Sequence, residues 1–162
     1  MSNKKVILGV DPGLADTGFG LIEVCGSNIK CLDFGSIKTY PKDDFVDRLK
    51  KIDSALQEII NKYKPEIASV EKLFFNTNAK TALLVGQARG VVLLNISKNK
   101  IPIFEFTPLQ LKQTISNYGR ADKNQIKRMI KIFLNLKELP KSDDSADALG
   151  LAICAINCLN KK

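Results

Sequence analysis

The stretch "VILGVDPG", residues 6–13, decides how the rest of the sequence is interpreted. Its apolar residues predict a short buried strand, and Pro12 with Gly13 ends that strand. Asp11 stands at the strand end, where an ionised carboxylate is costly to bury unless donors or a cation meet it. The stretch therefore predicts either a turn aspartate or a site that receives a positively charged group.

The composition restricts the chemistry that this chain can perform. It has 162 residues and no histidine, which excludes a Ser-His-Asp triad and a Cys-His pair. Its four cysteines form no C-x-x-C pair, so we do not expect a zinc site. The length fits one domain over residues 1–162, and without a stretch of about 20 apolar residues we expect a soluble, cytoplasmic protein.

The chain is basic, with 25 Lys and Arg against 17 Asp and Glu and a net charge of +8. Such a balance favours a polyanionic partner, because contacts between cationic side chains and phosphates release counterions from nucleic acid. A solubilising Lys-rich surface would give the same balance, so the charge alone does not separate the two interpretations.

The hydrophobic patterns predict a single α/β domain. Three strands are expected within residues 5–39, followed by a helix over residues 45–63 whose apolar residues recur every three or four positions. Two more strands are expected, at residues 66–71 and 101–106. Four more helices are expected, at residues 81–96, 109–116, 123–135 and from 143 onward. This order predicts a mixed central sheet of about five strands flanked by helices.

Three further carboxylates stand in settings that can lie near Asp11. Glu71 ends the apolar strand "IASVE", whose composition suits the centre of a sheet, and the ends of such strands often carry active sites. Asp144 and Asp147 in "DSAD" are three residues apart, which places both on one face of the last helix. Each acid also has a structural alternative, as a turn residue, a surface strand end or a helix cap.

Convergence of these four acids would require positive charge. Mutual repulsion would raise their pKa values or unfold the site, and divalent cations remove that conflict. Oxygen-only ligands favour Mg²⁺ or Mn²⁺. Two such ions about 4 Å apart can activate a water and stabilise the leaving oxygen of a phosphodiester without any imidazole.

Five motifs occur in an order that is similar to that of a known family. They are "GVDPGLADTGFG", "VEKLFF", "GQARG", "TPLQLKQT" and "DSADALGLA", and they span nearly the whole chain. Their order and spacing resemble the RuvC family of bacterial Holliday-junction resolvases. The resemblance implies an RNase H-like fold with metal binding by Asp11, Glu71, Asp144 and Asp147. Asp143 is a competing neighbour, and the family's D-x-x-D pattern selects Asp144.

The resemblance also implies contacts to DNA. Phe74 matches an aromatic residue that stacks on an unpaired base, and Lys112 and Lys123 match basic residues near the scissile phosphate. Arg120, beside Tyr118, adds charge and a possible stacking plane. The structural alternatives are a core position for Phe74 and a solvated helix face for the basic residues.

Two glycine motifs have a packing interpretation beside a functional one. Gly18 and Gly20 leave room for a ligand to approach the backbone, or they mark a bulge. Gly86 and Gly90, four residues apart in a helix, predict the close approach of another element. Arg89 between them is a candidate for DNA binding or dimerisation.

The segment between Gly13 and Thr17 departs from the family pattern. Many family members carry an arginine there, whereas this chain has Leu14-Ala15-Asp16. We therefore expect a phosphate contact at this position to be missing or replaced.

The function that the resemblance implies is the cleavage of four-way DNA junctions in recombination and repair. It implies a homodimer that nicks two opposed strands symmetrically, leaves 3′-hydroxyl and 5′-phosphate ends, and uses two Mg²⁺ or Mn²⁺ ions per active site. RuvA and RuvB, the branch-migration proteins, are the implied partners. A junction-binding protein without catalysis, an actin-like ATPase and a pre-16S rRNA nuclease are the alternatives. Converging acids argue against the first, and the short chain argues against the second.

Overall fold

The computed structural model of the protein describes residues 3–73, 78–117 and 119–159. These residues form five strands, five α-helices and a short 3₁₀ helix at Ala155–Cys158. The strands are β1 (Lys5–Asp11), β2 (Asp16–Cys25), β3 (Asn28–Lys38), β4 (Ile67–Glu71) and β5 (Ile103–Phe106). The helices are α1 (Phe45–Tyr63), α2 (Ala79–Lys98), α3 (Pro108–Ser116), α4 (Lys123–Phe133) and α5 (Asp143–Cys154).

The five strands form one mixed sheet in the order β3-β2-β1-β4-β5. The first three strands pair antiparallel, as expected for strands joined by short turns, while β1–β4 and β4–β5 pair parallel. The predicted mixed sheet of five strands flanked by helices is therefore confirmed. It puts β1, with Asp11 at its end, in the middle of the sheet.

Each face of the sheet carries its own apolar core. On one face α1 and α2 pack against the alternate strand residues represented by Leu8, Val10 and Leu21. On the other face α3, α4 and α5 pack against the residues represented by Ile7 and Ile22. Because strand side chains alternate between faces, Gly9 and Asp11 share the α5 face with Ile7.

Three glycines allow α5 to lie directly on the sheet. A methyl group built on Gly9 would come within 1.9 Å of the Ala148 carbonyl oxygen in α5, and one on Gly18 within 2.1 Å of the Asp144 carbonyl oxygen. A methyl group on Gly20 would lie 2.7 Å from the Leu149 nitrogen. Real side chains do not tolerate such distances to backbone atoms, so α5 can take this position only over a glycine surface.

The prediction that Gly18 and Gly20 leave room for a ligand or mark a bulge was wrong. Their missing side chains admit the backbone of α5 rather than a ligand. The irregularity in the β2–β3 pairing lies between Leu21 and Ile22, so neither glycine marks the bulge.

The close approach predicted for Gly86 and Gly90 does not occur within the described part of the chain. A methyl group on Gly90 would have no neighbour within 4 Å, and one on Gly86 would make ordinary contact with the Leu73 side chain at 3.4 Å. Gly90 therefore leaves an open place on the surface of α2, while Gly86 is partly covered by Leu73.

Side-chain caps fix where the site-bearing helices begin. Asp122 accepts a hydrogen bond from the Gln125 backbone nitrogen at 2.8 Å, and Ser142 accepts one from Ser145 at 3.0 Å. Asn78 caps α2 in the same way, so that helix begins two residues before the predicted start at residue 81. Across the residues that the structure describes, no helix has the length and apolar character needed to span a membrane.

Candidate active site

The sheet brings Asp11 and Glu71 side by side. Val10 of β1 is paired with Val70 of β4, and the acid that follows each valine ends its strand at the same edge of the sheet. The Glu71 carboxyl lies close enough to Asp11 to raise its pKa. Asp11 is only 7% exposed, so this contact lies beneath the surface.

Helix α5 adds the other two predicted acids. Asp144 stands in its first turn, above Gly18, and its side chain interacts with that of Asp11. Asp147, one turn further on, interacts electrostatically with Glu71. The structure therefore brings together acids that are separated by more than a hundred residues in the sequence.

Burial and the neighbouring acids disfavour the ionised forms of three members of the cluster, Asp11, Asp144 and Asp147. Burial, followed by the hydrogen bond and the charge of Glu71, raises the pKa of Asp11 to about 10. Burial and then the Glu71 charge raise the pKa of Asp147 to about 7. The pKa of Asp144 is also raised, by burial first and then by the nearby Asp16 carboxylate. A proton on Asp11 or a bound cation would each relieve this repulsion.

The donor chemistry of the cluster fits a hard divalent cation. All four side chains offer carboxylate oxygens, which Mg²⁺ and Mn²⁺ prefer. Burial first, and then the neighbouring acids, raise the pKa values of Asp11 and Asp147, so a bound cation would stabilise their ionised forms. Within residues 3–73, 78–117 and 119–159, no three acidic or cysteine side chains are already arranged to hold one ion. Side-chain rotation within the cluster would therefore have to accompany cation binding.

The structure separates Asp143 from Asp144. Asp143 forms ion pairs with Lys127 at 2.5 Å and with Lys123 at 3.3 Å, and these contacts, above all the one with Lys127, lower its pKa. Asp144 instead points to Asp11. This arrangement favours Asp144 as the third acid of the cluster and gives Asp143 the role of holding two lysines.

We expect Asp144→Asn and Asp143→Asn to differ in their effect on a metal-dependent reaction. Loss of a metal-ligating carboxylate removes several kcal/mol of transition-state stabilisation, so Asp144→Asn should lower the cleavage rate at least about 100-fold. Asp143→Asn breaks partly exposed ion pairs, each worth up to about 1 kcal/mol, and should change the rate only a few-fold. Single-turnover cleavage of a DNA junction measures both. Equal losses would contradict the assignment.

A cleft opens beside the acids and contains the two lysines predicted to bind DNA. Its volume is about 250 Å³, and its lining includes Glu71, Asp147, Lys112 and Lys123. Lys123 is largely exposed while its ammonium group is paired with Asp143, so it lies beside the acids and remains accessible to a phosphate. Both lysines therefore lie beside the acids, and their contact with a scissile phosphate stays a prediction.

Arg120 does not line this cleft. It lines a separate groove of about 520 Å³ together with Gln125, Arg128 and Met129. A role in contacting DNA would therefore place it away from the acids. The predicted stacking residue Phe74, and Tyr118 beside Arg120, lie outside the described residues.

The contacts of Arg89 could not be predicted from the sequence. Its Nε donates a hydrogen bond to the backbone oxygen of Glu71 at 3.1 Å, and its Nη2 forms an ion pair with Glu105 of β5. The sequence suggested DNA binding or dimerisation for this side chain. In the structure it contacts the main chain of Glu71, one of the clustered acids, and the side chain of Glu105.

The segment that replaces the family arginine contributes no positive charge. Leu14 packs in the apolar core beneath α1 and α2, Ala15 is exposed, and Asp16 begins β2 with one carboxylate oxygen buried. The predicted loss of a phosphate contact is consistent with these positions. Asp16 instead adds negative charge near Asp144.

Comparison with known proteins places this geometry in a family. Residues 7–155 match the family model described as crossover junction endodeoxyribonuclease RuvC. The protein of that name from Halothermothrix orenii is 56% identical over 97% of this chain and 96% of its own, and that from Alkaliphilus oremlandii is 53% identical over 92% and 91%.

A solved structure agrees with the sequence comparison. The structure of T. thermophilus RuvC in complex with Holliday junction substrate superposes with a TM-score of 0.87 and 32% identity, covering 93% of this chain and 92% of that one. The agreement extends over the strands and helices that hold the four acids and confirms the predicted RNase H-like fold. Motif order, sheet topology and similarity along nearly the whole length lead to one conclusion: the chain belongs to the RuvC family.

Proposed function

We propose that this protein is a divalent-metal-dependent endodeoxyribonuclease that resolves Holliday junctions in homologous recombination and DNA repair. The observation that carries the proposal is the meeting of Asp11, Glu71, Asp144 and Asp147 at one edge of the sheet, beside a cleft that contains two lysines. A protein that only bound DNA would gain nothing from buried acids that repel phosphate. Membership of the RuvC family supports both the substrate and the reaction.

The four acids would hold two Mg²⁺ ions, with Mn²⁺ as a substitute. Bound divalent cations supply charge stabilisation and a nucleophile from water at neutral pH, which a chain without histidine does not supply by itself. Asp11 and Glu71 would bind from the strand ends, and Asp144 and Asp147 from α5.

Lys112 and Lys123 would position the DNA strand for cleavage. Their side chains line the cleft from α3 and α4, opposite the acids of β4 and α5. An ammonium group at either position would bind a backbone phosphate and direct the neighbouring phosphodiester toward the acids. Hydrolysis at that position would leave 3′-hydroxyl and 5′-phosphate ends.

The proposed active form is a homodimer that nicks two opposed strands. Helix α2 supports this, because Leu83, Gln87, Gly90 and Leu94 lie on one face of the helix and all are exposed. Leu83 is 63% and Leu94 57% exposed, and nothing in the described chain lies within 4 Å of a methyl group built on Gly90. A second copy of this helix could approach closely there and form an isologous two-fold contact.

We expect Leu94→Glu to weaken the dimer without unfolding the protomer. A charge at this exposed position would have to be desolvated in the interface but would remain in water in the monomer. Light scattering coupled to size exclusion should show a shift toward the monomer mass. Ile132→Glu is the matched control, because Ile132 is 78% exposed on α4. A dimer unaffected by Leu94→Glu, or equally disrupted by Ile132→Glu, would contradict the α2 interface.

Cleavage of a synthetic immobile junction tests the proposed function directly. The purified protein should nick the junction in Mg²⁺, leave a linear duplex of matched sequence intact, and become inactive in EDTA. Junction binding without metal-dependent nicking would instead indicate a non-catalytic binder, and preferential cleavage of RNA would indicate the pre-16S rRNA nuclease alternative. Binding to RuvA and RuvB and action in the cytoplasm complete the proposal.

A further inference from the structure

Arg89 links three elements around the candidate metal site. It projects from α2, its Nε donates to the Glu71 carbonyl oxygen at the end of β4, and its Nη2 is paired with Glu105 on β5. The Arg89 side chain is only 18% exposed. A guanidinium has donors in a rigid planar fork, so two acceptors held at once are fixed relative to each other.

Arg89 binds the main chain where β4 ends. Glu71 is the last residue of that strand. On the β5 side, Lys72 donates its backbone N–H to the Phe106 oxygen at 2.8 Å. Arg89 holds the carbonyl of the same Glu71–Lys72 peptide from the α2 side. The peptide is therefore fixed from both sides.

Fixing this peptide fixes the direction of the Glu71 side chain. The orientation of a peptide plane sets the ψ angle of the residue before it, and with it the position from which its side chain projects. Without Arg89, only the Lys72–Phe106 hydrogen bond among the described residues would hold this peptide, and Glu71 would be freer to move away from Asp11. The guanidinium would restrict this movement through the main chain and leave the Glu71 carboxylate available to a cation.

Glu105 explains why the Arg89 guanidinium can lie so close to the site without competing with a metal ion for the four acids. The Arg89 charge is paired with the Glu105 carboxylate. Val70, the residue before Glu71, lies opposite Glu105 in the β4–β5 pairing, so Glu105 is held in register with the same strand end. Arg89 and Glu105 thus together hold the Glu71–Lys72 peptide in place.

We propose that Arg89, with Glu105 as its counterion, is a positioning residue that orients Glu71 for metal binding. This inference depends on the proposed role of Glu71 as a metal-binding acid. It assigns Arg89 no contact with DNA and no contact with the reacting atoms.

Metal binding by the DNA-free protein tests the inference independently of cleavage. Mn²⁺ titrations followed by electron paramagnetic resonance should show about 10-fold or more weaker binding for Arg89→Gln than for the wild type, the effect expected when a group that orients a ligand is lost. Glu105→Gln, which retains the guanidinium and removes its counterion, should weaken Mn²⁺ binding less. Arg89→Lys should recover part of the loss, because lysine retains the charge and a single donor.

Junction binding and cleavage complete the test. In EDTA, Arg89→Gln should bind the junction within about twofold of the wild type, while the Mg²⁺ concentration for half-maximal cleavage should rise about 10-fold. Unchanged Mn²⁺ binding by Arg89→Gln would overturn the inference, and so would a loss of junction binding in EDTA. If Arg89→Gln does not fold, unchanged Mn²⁺ binding by both Glu105→Gln and Arg89→Lys overturns it.

Glu71→Gln distinguishes this inference from the function on which it depends. If Glu71→Gln binds Mn²⁺ like the wild type, the proposed metal role of Glu71 fails and Arg89 has nothing to position. If Glu71→Gln weakens Mn²⁺ binding while Arg89→Gln does not, the function stands and only the positioning role fails.

Discussion

Asp11→Asn should reduce junction cleavage in Mg²⁺ by about three orders of magnitude while junction binding in EDTA persists. An amide retains the shape of the side chain but removes the negative charge that a cation requires, and metal ions contribute several kcal/mol to such reactions. Asp43→Asn is the control, because Asp43 is an exposed carboxylate outside the cluster. Asp11→Asn with full activity would exclude a metal-binding role for this acid.

The same substitution should stabilise the metal-free protein. The pKa of Asp11 is raised from 3.8 to about 10 by burial and by the neighbouring acids, so the folded state binds more protons than the unfolded state between these values. The contribution of this group to stability is therefore fully present below about pH 4 and declines as the pH rises toward 10. Asparagine has no proton to lose and avoids the decline.

Denaturant unfolding in EDTA at pH 6 and pH 8 measures this effect. The wild type should be less stable at pH 8, and Asp11→Asn should show a shallower slope, with Asp147 still contributing because its pKa is raised to about 7. Mg²⁺ should stabilise the wild type more than the variant, since a ligand stabilises only the state that binds it. Equal pH slopes for both proteins would contradict the electrostatic description of the cluster.

Gly18→Ala should damage both stability and activity. The new methyl group would lie 2.1 Å from the Asp144 carbonyl oxygen and 2.3 Å from its carbon, so the first turn of α5 must move away from the sheet. Overpacking of this kind costs roughly 1–3 kcal/mol of unfolding free energy. Because Asp144 moves with the turn, Mn²⁺ binding should weaken and cleavage should fall by more than the stability loss explains.

Gly86→Ala is the matched control for Gly18→Ala. Its methyl group would meet only the flexible end of Leu73 at 3.4 Å, and alanine is favoured over glycine inside a helix by roughly 0.5–1 kcal/mol. We expect Gly86→Ala to be neutral or slightly stabilising, with normal cleavage. A tolerated Gly18→Ala would show that α5 does not depend on the glycine surface.

The four acids could be singled out from the sequence because they follow local patterns, and the resemblance to the RuvC family implied that they form one cluster. Asp11 and Glu71 each end an apolar strand, and the spacing of Asp144 and Asp147 places them on one helix face. Hydrophobic periodicity and glycine or proline breaks supplied the element order in the same way. These signals are local, so one sequence was sufficient to find the elements and the candidate acids, while their common role rested on the resemblance.

The remaining features depend on distant contacts that no local pattern carries. Arg89 binds a backbone carbonyl, and every residue has one, so nothing in the sequence marks Glu71 as its acceptor. The resemblance selected Asp144 over Asp143, but the ion pairs of Asp143 with two lysines of another helix could not be predicted from the sequence. Alternate spacing could have shown that Gly18 and Gly20 share a face of their strand, but not that a helix backbone lies over that face.

The packing of α5 on Gly9, Gly18 and Gly20 also has a consequence for biosynthesis. A nascent chain that has been synthesised only as far as α4 contains Asp11 and Glu71 but neither acid of α5. Nascent or truncated chains that lack α5 would therefore contain only two of the four acids proposed to bind metal. We expect such chains to be inactive as nucleases until α5 has been synthesised and has packed on the sheet.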